Sequence, residues 1–511
     1  MQCQPNPAFR TIGATNLPAN TWMPTFPPAK LPRRHAKGAV STMKRLLILV
    51  IIIASLWAHP VSAQGLLGGL LTNVSDTLTS LTAPPQGVIV RTNLGLAGLQ
   101  GVCQSQGCTV SASLDGNAGQ LFLVKPVRGL VPNLLASVLR LVTGILDAEV
   151  DQVAVLPSVV ASKASNSASQ TITATTPNGL YDQTSVNYYG TSAWHGYVNQ
   201  PAVQIIHIPQ VQNVFQLTGA GIVADIDTGV DVNHPVLQGV LVPGYDFTRN
   251  QPGGSELNDL STTPSSSCNG CAAGAVNQST VAMLDQSTVA MLDGNQQYAA
   301  FGHGTMVVGI IHLAAPTAQI MPLKAFGSNG TGNLSNILAA IYYGVQNNAK
   351  VLNMSFDLTS SSQELSTAIQ FATNNNVITI ASSGNDGKME IVYPAAMQTQ
   401  GVMGVASTSN SDQRSAFSNY GNPIVWVAAP GEGIVTTYPF GTYAAGWGTS
   451  FSAPLVSGTA ALLVNVQRNC TPLQASIALT QSQWVGSNMG YGRLDAFRAV
   501  LAMAPFLNPL H

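Results

Sequence analysis

Three residues that together could activate a serine nucleophile occur in short glycine-containing segments of this 511-residue chain. Asp227 closes the run ADID, His303 lies in FGHGT, and Ser450 lies in GTSFSAP, where we expect a helix to begin. A serine hydroxyl is a weak nucleophile near neutral pH, so it needs a base within hydrogen-bond reach. Imidazole has a suitable pKa, and a carboxylate can hold the ring in one tautomer and stabilise its protonated form. Alone, each residue could be structural, as a turn cap, a core histidine or a helix N-cap; together they favour acyl-transfer chemistry.

Attack by the serine would create an oxyanion, and two hydrogen-bond donors are available for it. Ser450 at a helix N-terminus offers its backbone N–H and the positive end of the helix dipole. Asn385, in the segment ASSGNDG, offers a side-chain amide. Loss of one such donor typically lowers kcat by about 10²–10³-fold.

These four segments resemble the active-site signatures of the subtilisin-like serine protease (subtilase) family, over about residues 191–500. The resemblance implies that Asp227, His303 and Ser450 form a catalytic triad and that Asn385 belongs to the oxyanion hole. It also implies a serine endopeptidase that hydrolyses peptide bonds of protein or peptide substrates through an acyl-enzyme.

The resemblance also locates residues for substrate binding. The family's substrate-binding strand often reads Ser-Leu-Gly-Gly, whereas this chain reads Ser-Phe-Asp-Leu. The expected substrate-binding residues are Ser355, Phe356, Asp357, Gly384 and Asp386. Because two of them carry carboxylates, we expect a preference for basic or polar residues at P1, the substrate position before the scissile bond.

Between residues 191 and 500, β-branched runs alternate with alanine-rich helical stretches. This alternation favours an α/β fold, in which helices cover both faces of a parallel sheet and the site forms beyond the carboxyl ends of strands. The resemblance implies the same three-layer, subtilisin-like architecture. Strands are predicted at 221–226, 319–323, 350–354 and 377–381, and helices at 334–347 and 362–374.

A secretory signal peptide is predicted at residues 43–63, where Lys44 and Arg45 precede a mainly apolar run and Val-Ser-Ala fits a cleavage site. The apolar run is too short to span a bilayer comfortably, which disfavours the alternative of a membrane anchor, and no later stretch is expected to span a membrane. The protein is therefore expected to be secreted, to the extracellular space or a periplasm. The Pro-rich, basic residues 1–42 are either an N-terminal extension or a mis-assigned start, with Met43 as the true first residue.

The rest of the chain divides by composition into three parts. Residues 64–160 form the expected inhibitory prodomain; within it, residues 86–160 loosely resemble that of the family and are predicted to form a small α+β unit with a helix at 132–146. Residues 161–190 are rich in Ser, Thr, Ala and Asn and are predicted to form a cleavable linker. Residues 191–505 form the expected peptidase domain. The resemblance implies a self-processing zymogen, with its own prodomain as an intramolecular partner.

An insertion at residues 249–298 lengthens the interval between Asp227 and His303. It contains the octapeptide QSTVAMLD twice in tandem, at 278–285 and 286–293. We expect two β-arcs on the surface, close enough to the site to shape substrate access.

Cysteine usage is consistent with export. Cys103 with Cys108, and Cys268 with Cys271, are candidates for short-loop disulfides, which would leave Cys470 free. A single Cys-x-x-Cys is a weak indication of zinc.

No cofactor or metal site is predicted. Many subtilases place a calcium-ligating Asp directly after a His-Pro turn, but this chain has Val236 there. The segment from 309 to 316 is also short for the usual calcium loop, although calcium elsewhere stays possible.

Asp225 precedes Asp227 by two residues and shares its strand face, so a buried Asp225 would need a partner or would stay protonated.

The charge composition disfavours nucleic-acid binding. Charged residues make up 8% of the chain, and seven of the 20 basic residues lie in positions 1–45. From residue 64 onward there are 13 basic and 21 acidic residues, a net charge of −8 without a basic stripe.

Two other function classes remain as alternatives. One is a catalytically idle subtilase fold used for binding, with the insertion as its interaction surface; the complete triad disfavours it. The other is a serine esterase of another fold. A Gly-x-Ser-x-Gly motif would be expected there, but position 452 is Ser.

Overall fold

The fold is described from a computed structural model, which covers residues 87–127, 130–156, 178–260, 281–283 and 298–503. The predicted N-terminal extension and signal peptide lie outside the described residues. So do Cys268, Cys271 and the second octapeptide.

An eight-stranded sheet forms the centre of the described chain. Seven of its strands are parallel and one edge strand is antiparallel. The inner strands are buried on both faces, as their nearly continuous apolar runs require. In spatial order the strands are Gln251–Pro252, Tyr245–Asp246, Gln319–Lys324, Ile222–Asp227, Ala349–Met354, Ile378–Ser382, Val402–Thr408 and Val427–Pro430.

Helices cover both faces of this sheet, which confirms the predicted α/β architecture. The helices His303–Ala314, Thr449–Val466 and Ala496–Ala502 share one apolar core. The helices Leu334–Gln346 and Gln363–Asn374 belong to a second core. The predicted strands and helices occur with their boundaries within one residue. The region also contains the helices His195–Val198, Pro201–Ile205, Ile208–Val214 and Pro472–Leu479, and the strands Ser185–Tyr188, Thr191–Trp194, Thr331–Asn333, Ile434–Tyr438 and Thr442–Gly446.

The helix Thr449–Val466 corrects one sequence expectation. Within the described residues it is long and apolar enough to cross a membrane by length and composition, although no such later stretch was expected. However, 89% of it is buried inside the protein, so it is the central core helix. Glycine permits its close packing, since a Cβ at Gly458 would lie 2.5 Å from the Cβ of Ala314.

The N-terminal part of the described chain is a separate four-stranded antiparallel sheet with two helices. The predicted helix at 132–146 is wrong beyond Leu139, because Gly144 has a φ of +92° and turns the chain into a strand that begins at Ile145. The apolar spacing did not distinguish these buried strand residues from a continuing helix. In spatial order the strands are Cys108–Ser113, Leu121–Pro126, Val88–Thr92 and Ile145–Val150, and the helices are Gly95–Gln106 and Pro132–Leu139.

One of the two disulfide candidates lies in this sheet. Cys103 and Cys108 are bonded, which ties the end of a helix to the strand that follows. Cys470 is free and buried, and burial raises the pKa of its thiol to about 11.

The predicted linker and the insertion both contribute to regular structure. Leu180 and Tyr188, from the predicted linker 161–190, are buried in the core that contains the His303 helix. In the insertion, Val281–Met283 of the first octapeptide pairs antiparallel with Thr442–Gly446. The averaged polar composition of residues 161–190 concealed the two residues that pack.

Candidate active site

Asp227 and His303 form a buried hydrogen-bonded pair. Asp227 is the last residue of the strand Ile222–Asp227, and His303 is the first residue of the helix His303–Ala314. The Nδ1 of His303 lies 2.7 Å from Oδ1 and 2.9 Å from Oδ2 of Asp227, and both side chains are 1% exposed. An Nδ1–H that donates to a carboxylate leaves Nε2 as an acceptor, the form that a general base requires.

Ser450 lies beside this pair. It is the second residue of the helix Thr449–Val466 and is fully buried. The rings of His303 and Phe451 have centroids 5.7 Å apart, so the start of this helix packs against the imidazole. The Oγ of Ser450 and the Nε2 of His303 are both buried, and neither has a hydrogen-bond partner among the described residues. Other buried side-chain atoms of the described residues also lack partners, among them the Oγ of Ser452; these two differ in being a hydroxyl and a basic nitrogen on adjoining segments.

Asn385 is fastened to the residue before Ser450. Its Oδ1 accepts hydrogen bonds from the backbone N–H and from the hydroxyl of Thr449, both at 2.9 Å. This fixes the amide with Nδ2 as its remaining donor group. A Cβ built on Gly448 would lie 3.0 Å from that Nδ2, so the amide nitrogen borders the N-terminus of the Ser450 helix.

Glu256 is a buried group near the site that the sequence analysis missed. Its Oε2 accepts from the backbone N–H of Gly302 at 2.7 Å and from the Thr228 hydroxyl at 3.2 Å, and its Oε1 accepts from the Thr305 hydroxyl. Thr228 follows Asp227, and Gly302 and Thr305 flank His303, so one carboxyl joins both segments of the pair. Burial raises the pKa of Glu256 to about 8; the bonds from Thr305 and Gly302 and the charge of Lys324 oppose this, and Asp227 adds to it.

Lys324 is buried next to the same network, although lysine is rarely buried without a partner. Its Nζ lies 2.7 Å from Oδ2 of Asp259, 2.7 Å from the carbonyl oxygen of Thr228 and 2.8 Å from that of Phe326. The ammonium group therefore has an ionic partner and two backbone acceptors, which is what a buried charge requires. No sequence spacing links Glu256, Asp259 and Lys324, because they meet only through the fold.

Asp225 has the buried environment that the sequence analysis anticipated. Burial, reinforced by the charge of Asp227, raises its pKa well above the usual range. Asn353 donates to its Oδ1 at 2.9 Å, and the Ser457 hydroxyl donates to Asn353 at 2.8 Å. The carboxyl of Asp225 thus belongs to a polar network between the sheet and the Ser450 helix.

The expected substrate-binding residues take different positions. The Ser355 hydroxyl donates to the carbonyl oxygen of Ser450 at 3.3 Å, so this strand end adjoins the serine. The Phe356 side chain is fully buried and packs against Phe326, with ring centroids 5.3 Å apart. Gly384 adjoins the carboxylate of Asp357, and Asp386 is exposed.

An extended segment of the chain lies between Thr331–Asn333 on one side and Asp357 on the other, and we call the space that it fills the groove. In it, Val153–Val155 pairs antiparallel with Thr331–Asn333. On its other side, Val155 and Asp357 exchange both backbone hydrogen bonds, at 3.1 and 3.2 Å. Leu156 donates to the carbonyl of Gly330 at 2.9 Å, and its side chain is fully buried. The groove therefore binds an extended peptide as an added strand.

The position of the usual calcium ligand is apolar. Val236 is 2% exposed and belongs to the core cluster of the His303 helix, so it offers no side-chain oxygen to a cation. Within the part of the chain that is described, no group of three or more His, Cys, Asp or Glu side chains could hold a metal ion.

An α/β fold with a buried Asp–His pair next to an unpartnered serine defines a hydrolase of the serine-nucleophile class. Comparison with known proteins identifies the family. The model of the subtilase family, Peptidase_S8, matches residues 219–495. Thermitase from Thermoactinomyces vulgaris is 33% identical over 299 residues, which covers 58% of this chain and 94% of thermitase. A thermophilic serine proteinase from Bacillus sp. (strain AK1) is 31% identical over 332 residues, or 63% of this chain and 73% of that protein.

The chain belongs to the subtilase family and is a subtilisin-like serine endopeptidase. A solved structure, of a cold adapted subtilisin-like serine proteinase, aligns with a TM-score of 0.43 and 28% identity, covering 55% of this chain and 90% of that one. Family membership confirms the resemblance found in the motifs. It also removes the alternative of a serine esterase with another fold.

Proposed function

We propose that Asp227, His303 and Ser450 form the catalytic triad of an exported endopeptidase that is made as a zymogen. The observation that carries the proposal is the buried Asp227–His303 bond, with the unpartnered Nε2 of His303 and Oγ of Ser450 in adjoining segments. Substrate binding would give those two atoms their partners.

In the proposed reaction, the Oγ of Ser450 attacks the carbonyl carbon of the scissile bond while Nε2 of His303 takes the hydroxyl proton. Asp227 holds the ring and stabilises the imidazolium that forms. The backbone N–H of Ser450 and the Nδ2 of Asn385 donate to the oxyanion. His303 then gives its proton to the leaving amine, and the acyl-enzyme on Ser450 is hydrolysed by water, again with His303 as the base.

A fluorophosphonate probe tests this assignment because it reacts only with an activated serine. We expect wild type to be labelled and Ser450→Ala to be unlabelled. Ser452→Ala is the matched control, since Ser452 is also a buried serine on the same helix with an Oγ that lacks a partner among the described residues. Absence of labelling in folded wild type that has been cut within 157–177, by itself or by an added protease, would overturn the assignment and favour the catalytically idle binding protein.

The contacts of the 88–150 sheet with the peptidase region support an inhibitory role for it. Asp151 accepts at 2.8 Å from the N–H and at 2.7 Å from the hydroxyl of Ser335, in the first turn of the helix Leu334–Gln346. Arg91 pairs with Glu364 at 2.6 Å, and Glu364 is 1% exposed. These contacts hold Val153–Val155 in the groove, where it would exclude substrates until the chain is cut.

The zymogen proposal predicts where maturation occurs. The groove segment is held up to Leu156, and residues from Asn178 onward pack with the peptidase region, so the cut should fall within 157–177. We expect intact-mass and N-terminal analysis to find such a cut in wild type and an uncut chain in Ser450→Ala. Unchanged maturation in the variant would mean that processing is not autocatalytic.

Export is supported by the predicted signal peptide and by the Cys103–Cys108 disulfide, because disulfides persist in oxidising compartments. We expect the protein to be recovered outside the cell, and the uncut Ser450→Ala chain to begin after residue 63. Retention of residues 43–63 in the exported protein would contradict the signal-peptide assignment and favour a membrane anchor.

A further inference from the structure

The groove has a direction that identifies its reactive end. Val155 in the occupying segment pairs antiparallel with Asp357, and Ser355, two residues earlier on the partner strand, bonds to Ser450. Because the pairing is antiparallel, the residues of a bound chain that follow the one opposite Asp357 lie progressively closer to Ser355 and Ser450. The substrate residue that precedes the scissile bond then lies opposite Ser355.

Two segments flank that residue. One is the 355–357 strand end. The other is Gly384–Asp386, which is held next to Ser450 by the bonds of Gly384 and Asn385 to Thr449. The two segments approach closely at Gly384, where an added Cβ would lie 3.0 Å from Oδ2 of Asp357. An added Cβ would also lie 2.5 Å from Nδ2 of Asn419, and Gly384 has a φ of +93°, so this close approach requires glycine and the carboxylate of Asp357 borders it.

The carboxyl group of Asp357 is buried without a full set of hydrogen-bond partners. It is 7% exposed, and its Oδ1 is buried and accepts no hydrogen bond from any described residue. Burial, with the charges of Asp386 and Glu390, raises its pKa well above the usual range. Asp386 and Glu390 are both exposed, so an inner carboxyl lies behind two outer ones. The Nδ2 of Asn419 donates to Asp386 at 3.2 Å, but no described residue donates to Oδ1 of Asp357, so this buried oxygen lacks the donor that burial requires.

We propose that Asp357 makes this endopeptidase selective for substrates with lysine or arginine at P1, a conclusion that rests on the proposed catalytic assignment of Ser450. An ammonium or guanidinium group between the two segments supplies the donors that Oδ1 lacks, and it neutralises the carboxylate where water is excluded. An apolar P1 side chain leaves the carboxyl buried without a partner, which selects against it. The outer carboxylates of Asp386 and Glu390 attract the same cations.

The test compares kcat/KM for peptides that differ only at P1, with arginine, its neutral isostere citrulline, or leucine. We expect wild type to favour arginine over citrulline by at least about tenfold, the factor that a charge-assisted hydrogen bond of ordinary strength provides. Asp357→Asn should lose most of that ratio while its leucine peptide is cleaved at least as well. Glu432→Gln, which removes a carboxylate outside the groove, should keep the wild-type ratio.

A wild type that prefers leucine, or an unchanged arginine-to-citrulline ratio in Asp357→Asn, would overturn the proposal. If Asp357→Asn does not fold, the exposed Asp386→Asn replaces it, with an expected ratio decrease of about two- to fivefold; an unchanged ratio there would also count against the proposal. Fluorophosphonate labelling of each variant separates the two claims. A protein that is labelled but lacks the P1 preference refutes the selectivity, whereas loss of labelling in wild type refutes the catalytic assignment.

Discussion

Glu256→Gln is the substitution that best isolates the buried carboxyl connecting the aspartate and histidine segments. Glutamine keeps the shape of the side chain but replaces one oxygen by an amide nitrogen, which cannot accept a hydrogen bond. The three donors around Glu256 come from Gly302, Thr228 and Thr305, so at least one of them loses its acceptor. Glutamine also cannot titrate.

The titration gives the size and sign of the expected effect. The pKa of Glu256 is about 8 in the folded protein against 4.5 in the absence of the fold. Because the folded value is higher, the stability contributed by this group is complete below pH 4.5 and is lost as the pH rises through 8. As the pH rises from 5 to 7, the protein with Glu256 should therefore lose stability relative to Glu256→Gln. The difference between their free energies of unfolding should change by up to about 1.4 kcal/mol per pH unit.

Urea unfolding at pH 5, 6 and 7 measures this difference, with Ser450→Ala in both proteins to prevent autolysis. Other titrating groups cancel, because they are common to both chains. Glu432→Gln in the same background controls for the loss of a carboxylate. A stability difference between the parent chain and Glu256→Gln that does not change with pH would refute the reasoning. In the active enzyme we expect Glu256→Gln to lower kcat by about tenfold, the effect of one lost hydrogen bond, at unchanged KM.

Three further substitutions test other parts of the account. Asn385→Ala should lower kcat by about 10²–10³-fold with little change in KM, and a change confined to KM in steady-state kinetics would contradict an oxyanion role. Arg91→Ala leaves Glu364 buried without its ion pair, so the free energy of unfolding of the uncut Ser450→Ala chain should fall by about 2–4 kcal/mol in urea; no loss would show that the pair does not hold the sheet. Asp225→Asn should change stability by less than about 1 kcal/mol, since an amide oxygen can still accept from Asn353, whereas Asp225→Ala should cost about 1–3 kcal/mol; equal losses would show that the hydrogen bond from Asn353 contributes nothing.

Much of the chemistry could be predicted from sequence because it lies in short local motifs. Each of the three proposed triad residues lies at the end or the start of a strand or helix, close to a glycine. Such positions can be recognised from the local sequence alone. They are Asp227, His303 and Ser450. The parallel strands were predictable for a related reason, since strands buried on both faces appear as continuous apolar runs.

The supporting residues could not be found in the same way. Glu256 lies 46 residues before Gly302, and Lys324 lies 65 residues after Asp259. No periodicity connects such positions, because only the packing of separate elements brings them together. Glu256 and Asp259 both lie in the segment that was interpreted as a surface insertion. That segment therefore also supplies buried residues beside the Asp227–His303 pair.

The predicted helix extended beyond Leu139, where the helix ends in the structure, for a local reason. The apolar residues after it suit a helix face and a buried strand equally, and one glycine, Gly144, decides between the two conformations. The same limit applies to Asp357. Its side chain was predicted to place a charge near the substrate, but its burial and its unpartnered Oδ1 follow only from the fold.

The central claim is that His303 and Ser450 act as a single proton-transferring unit, and a double-mutant cycle tests it most directly. The measurement is kcat for wild type, Ser450→Ala, His303→Ala and the double variant on one peptide substrate, after an added protease has cut all four chains within 157–177 and the released N-terminal part has been removed. Because a base without a hydroxyl to deprotonate contributes nothing, the double variant should have the same residual kcat as Ser450→Ala. Losses that multiply, so that the double variant is slower by the product of both single effects, would contradict the account.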